Sequence, residues 1–154
     1  MSWPTDPELQ DLIARFQNAT LPAAEWTHQA HLVTGLWHVS LFNETDALNH
    51  VRQGILRLNT AHGTPNTDTR GYHETITRAY LVLLAGFARD HADVHGAARA
   101  QALLRSPLAQ RDALLHYYST DRLMSVAARR DWVEPDLRGL DEASHASPAD
   151  AEPA

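Results

Sequence analysis

The stretch Pro22-Ala23-Ala24-Glu25-Trp26-Thr27-His28-Gln29-Ala30-His31-Leu32-Val33-Thr34-Gly35-Leu36-Trp37-His38-Val39-Ser40-Leu41-Phe42 decides the fold class. Its apolar residues Trp26, Ala30, Val33, Leu36, Trp37 and Leu41 recur at intervals that gather them on one broad helical face. Sustained alternation with β-branched enrichment, the mark of a half-buried strand, is missing. Proline at the opening suits a first helical turn, where its absent N–H has no intrahelical partner to lose. The spacing predicts a helix over 22–42, central to the core.

The same periodicity continues on both sides. Leu9, Leu12, Ile13 and Phe16 form one stripe over 7–17, and 18–22 breaks it. Leu48, Val51, Ile55 and Leu58 predict a third helix to about residue 61, capped by Thr45 or Asp46 and stopped by Gly63. Residues 63–71 are a polar loop of turn formers. A fourth helix over 72–90 packs Ile76, Tyr80, Leu83, Leu84 and Phe87. Shorter helices are expected at 94–104, 108–117 and 125–131, the last after a turn at 119–121. The expectation is an all-α, single-domain helical bundle over 1–138, with four main helices and two or three short C-terminal ones. From Gly139 the chain is Ala, Ser, Pro and acid, so 139–154 is expected to be a disordered acidic tail.

Composition narrows the function classes. The 154 residues include no cysteine, which excludes disulfides, thiolate zinc sites, iron–sulfur clusters and cysteine nucleophiles. All 13 basic residues are arginine, dispersed along a chain of net charge −6, so nucleic acid is not an expected partner. The start lacks a basic segment followed by an apolar one, and the longest apolar run, 79–88, is half of the roughly 20 residues that a membrane crossing needs. A cytoplasmic location with no membrane partner is expected, and oligomeric state is not readable.

The ten histidines stand out. His28 and His31 lie three apart, so their rings project from adjacent turns of one helix face, with Glu25 one step earlier in an E-x-x-H-x-x-H array. His73 falls on the face of Tyr80, Leu84 and Phe87 and is expected to point into the bundle. Three imidazoles from two helices, with a coordination position open, would suit a catalytic zinc ion. Iron, nickel, manganese or copper accepts the same donors. Glu74 would then be the catalytic base acting on a metal-bound water, or a fourth ligand. Arg70 and Tyr118 are candidate substrate contacts. Arg52 and Asn59 lie on one side of the third helix and could face the site.

Each of these residues also has a structural reading. An H-x-x-H pair in a histidine-rich chain is readily solvated or hydrogen-bonded. His73 suits a core histidine satisfied by a backbone carbonyl. Glu25 and Glu74 sit in first turns, where a carboxylate meets the positive end of the helix dipole. Arg70 suits a loop arginine.

The segments Trp26-Thr27-His28-Gln29-Ala30-His31-Leu32 and Gly71-Tyr72-His73-Glu74-Thr75, with Tyr117-Tyr118-Ser119 and 132–137 further on, resemble an uncharacterised family of small bacterial proteins that carry W-T-H-x-A-H-L and G-Y-H-E-T motifs. The resemblance spans about residues 19–140 and implies that His28, His31, His73 and Glu74 form a recurrent group; it implies no activity. The architecture is also loosely similar to DinB-like metal-binding helical bundles. Their late H-x-x-x-H spacing is missing here, so no residue is carried over.

Two functional expectations result. The first is a metal-dependent enzyme acting on a small molecule through His28, His31 and His73, as a hydrolase using metal-activated water or as an iron-dependent oxygenase. The second is a non-catalytic helical module that binds a small ligand or senses pH, with no metal.

Overall fold

Helices form where the apolar periodicity runs, and their ends are set by side chains that satisfy the first free N–H groups. The computed structural model describes residues 2–140. In α1 (Asp6–Gln17), Thr5 and Glu8 make a reciprocal capping box, and Leu9, Leu12, Ile13 and Phe16 are buried. Helix α2 (His28–Leu41) is capped by the Thr27 hydroxyl, which accepts the Ala30 N–H. Asn43 caps α3 (Glu44–His62), and Gly63 closes it in the left-handed conformation at φ 69°. Helices α4 (Glu74–Asp90), α5 (Gly96–Leu104), α6 (Thr120–Leu123) and α7 (Val126–Arg130) complete the set. The described residues contain these seven α-helices, three short 3₁₀ turns and no strand.

Helix α2 is the centre, packed on α1, α3, α4 and α5, and its most extensive partner is α4. The main core joins Phe16, Leu32, Val33, Leu36, Leu58, Leu84 and Leu103. A second cluster, Ala79, Leu83, Leu114, Tyr118, Leu123 and Leu140, fastens the C-terminal turns to the outer side of α4. The result is one compact all-helical domain. No helix among the described residues is long and apolar enough to cross a membrane.

Several boundaries differ from the expected ones, each for a local reason. The helix expected over 22–42 starts only at His28, because Thr27 adopts an extended conformation to cap it and Ala23–Glu25 form a separate 3₁₀ turn. The helix expected from 72 starts at Glu74, because His73 is its cap. The segment 108–117 is two 3₁₀ turns, Pro107–Ala109 and Ala113–His116, parted where Gln110 turns extended. The turn at 119–121 is the start of α6, with the Ser119 hydroxyl accepting from Arg122 N–H. Leu140, placed at the head of the expected tail, is buried in the second cluster. Residues 141–154, which carry the rest of that tail, lie outside the described residues.

Candidate functional site

A cavity of about 290 Å³ opens where α2, α3 and α4 converge. Helix α2 contributes His28, His31, Leu32 and Gly35; α3 contributes Val51 and Ile55; α4 contributes Ile76, Thr77, Tyr80, Leu81 and Leu84. Arg111 reaches it from the connection between the two late 3₁₀ turns. The walls are mostly aliphatic, with the polar groups few and drawn from three segments. Gly35 belongs to the closest approach of α2 and α4, since a Cβ there would press on the Leu84 side chain.

Hydrogen bonds assign the tautomers of both α2 histidines, because a carbonyl only accepts. His28 Nε2–H donates to Ala109 O at 3.1 Å, which leaves its Nδ1 with a free lone pair. His31 Nδ1–H donates to Thr27 O at 2.7 Å, which leaves its Nε2 free. The His31 ring stacks on Trp26 with centroids 3.7 Å apart, and Trp26 stacks on Phe16 in turn. His28 meets Tyr80 edge-on.

Burial pushes the His28 imidazole below its usual range, the Ala109 carbonyl opposes that shift, and the nearby Arg111 charge adds to it. Packing likewise depresses His31. His31 as a whole residue is exposed, and the bond to the Thr27 carbonyl opposes the shift. Both side chains are therefore neutral near pH 7, and each offers an acceptor nitrogen. Burial raises the Tyr80 hydroxyl, so it also stays neutral.

The third histidine lies elsewhere. His73 is buried at the start of α4, where its Nδ1 accepts the Ile76 N–H at 3.1 Å and its Nε2–H donates to Leu123 O at 2.8 Å. Both ring nitrogens are thus committed, one to the helix cap and one to α6. As folded, His73 has no lone pair to offer a metal ion. Among the described residues no group of three or more His, Asp or Glu side chains is arranged to hold one.

Glu74 also has fixed partners. Its carboxylate takes two bonds from the Arg52 guanidinium, at 3.0 and 2.5 Å, and one from the Tyr72 hydroxyl at 2.6 Å. Burial alone would raise its pKa, but Arg52 and Tyr72 outweigh that and hold the carboxyl below its usual value. A base so fully hydrogen-bonded accepts a further proton poorly. Glu25 sits in a 3₁₀ turn and pairs with Arg15, so the array expected on one helix face is split.

The remaining candidates are structural in their surroundings. Tyr118 is fully buried, donates to Val133 O at 2.8 Å, and its hydroxyl is pushed up to about 12 by burial. Arg70 is exposed on the 63–73 loop. That loop is organised by Asn66, whose Oδ1 accepts from both Asn59 Nδ2 and Tyr72 N–H at 2.9 Å. Arg130 clamps Asp68 of the same loop with two 2.7 Å bonds, and Arg129 donates to Gly71 O. Asn59 and Arg52 thus serve the loop and the Glu74 ion pair.

Sequence reasoning brought His28 and His31 together and missed Tyr80 as a site residue and Arg111 altogether. Tyr80 reads as one more member of an apolar stripe. Arg111 reaches the cavity only because the chain at 109 comes back onto His28, a contact 81 residues apart that no spacing announces. Compared with models of protein families, with curated proteins and with solved structures, the chain matches none.

Proposed function

We propose that the protein is a small-ligand-binding helical module, with the ligand seated between α2, α3 and α4 against His28 and His31. The observation that carries this reading is one cavity with aliphatic walls and two neutral imidazoles, each keeping an unprotonated nitrogen. Binding sites of this kind are apolar with a few convergent polar groups, and roughly 300–1,000 Å³ is their usual range. At about 290 Å³ this one suits a compact molecule. The four longest helices, α1 to α4, act as the frame, and the segment at 109–111 forms one side of the mouth.

A metal-dependent reaction is the second reading, favoured by the two free imidazole nitrogens in one cavity. As folded it lacks a third protein ligand, because His73 is outside the cavity lining and keeps Nδ1 on the α4 cap and Nε2–H on Leu123 O. Small-ring compounds titrated against methyl-labelled protein decide between the two. Shifts confined to the lining methyls of Leu32, Val51, Ile55, Ile76, Leu81 and Leu84, and abolished in Ile55→Trp, are expected. No shift at these methyls, or near-stoichiometric metal in dialysed untagged protein that disappears in His28→Ala, would overturn the ligand module.

A further inference from the structure

The geometry points to a small carboxylate as the occupant of this cavity: a compact apolar body lies against Ile55 and Leu84, with its anionic end at the mouth beside Arg111. This inference rests on the cavity being a ligand site and adds the chemical class of the ligand.

The charge pattern of the lining carries it. Arg111 is the cation among the described residues that line the cavity, and no carboxylate lines it. A guanidinium at the rim of an apolar site favours a planar anion, to which it can donate two parallel bonds. An ammonium ligand would face that guanidinium with no acidic partner in the wall. Asp112 acts on Tyr80 through its charge from the same connection, but it is not part of the lining.

The imidazoles give the inference a second signature. Neutral His28 Nδ1 and His31 Nε2 are acceptors, and an acceptor beside a carboxylate is satisfied only when a proton lies between them. The groups that bear on this proton are His28, His31, Tyr80, Arg111 and Asp112. Tyr80 stays protonated and Arg111 stays charged, so the proton taken up is shared between an imidazole nitrogen and the carboxylate. A carboxylate therefore binds with proton uptake, while an alcohol of the same shape donates its own hydrogen and takes up none.

The test uses three probes of one shape, benzoate, benzyl alcohol and benzylamine, titrated calorimetrically into the full chain at pH 6.5 in two buffers of different ionisation enthalpy. Benzoate is expected to bind roughly tenfold tighter than the alcohol, with buffer-dependent heat that reports proton uptake. Arg111→Gln should erase that preference, and His28→Asn should reduce the uptake. Benzyl alcohol or benzylamine binding as well as benzoate, or a preference unchanged in Arg111→Gln, overturns the carboxylate and leaves the ligand site standing. Binding of none of the three overturns both.

Discussion

His73 does two structural jobs with one ring, since it caps α4 through Nδ1 and fastens α6 through Nε2. Replacing it with alanine removes a cap worth about 1 kcal/mol and strands the buried Leu123 carbonyl at a cost of about 1–3 kcal/mol. His73→Ala should therefore lower stability by about 2–4 kcal/mol in urea unfolding. Asparagine can still cap, so His73→Asn should recover part of that loss. A change below about 0.5 kcal/mol in His73→Ala would place it among ordinary surface positions. Its inward direction was legible from its place on the α4 stripe. Its saturation was not, because Leu123 lies 50 residues on and nothing local signals that approach.

At the scale of elements, the apolar stripes of α1, α3 and α4 were readable because burial of one face imposes a 3.6-residue period. Helix ends were less so. Thr27 and His73 each continue the helical pattern in sequence, yet both leave helical geometry to satisfy free N–H groups. Close packing was also illegible, and Gly54 illustrates it: a Cβ there would collide with the Phe16 ring, so α1 sits against bare α3 backbone. Alanine in place of an interior helical glycine gains about 1 kcal/mol in propensity. Overpacking costs about 1–3 kcal/mol and should prevail, because Phe16 is buried in the main core. Gly54→Ala is thus expected to lower the midpoint of thermal unfolding, and a raised midpoint would show that α1 shifts freely.

For the whole molecule, histidines whose imidazoles the fold depresses govern the response to acid. Burial lowers the imidazoles of His28, His31, His38 and His73. Their usual value lies near 6.5. Below that pH the unfolded chain binds more protons than the folded one, so stability falls as pH drops through 6.5 towards the lower folded values. The Glu74 carboxyl is depressed, so its contribution is present above the usual carboxylate range and is lost as pH falls through its folded value. Urea midpoints should therefore decline from pH 7.5 to 5, and again under stronger acid. A flat profile between pH 7.5 and 5 would mean that these imidazoles are solvated. Histidine abundance flagged such sensitivity in the sequence, while its sign required the burial that the fold supplies.

The division of labour among the three histidines is tested most directly by long-range ¹⁵N–¹H correlation spectra of the imidazoles at pH 7, before and after zinc is added. The structure predicts neutral Nε2–H tautomers for His28 and His73 and an Nδ1–H tautomer for His31, with the His73 resonances unmoved by zinc. A His73 ring in the opposite tautomer, or one whose nitrogen shifts together with those of His28 and His31 when zinc is added, would contradict the account and restore the three-histidine metal centre.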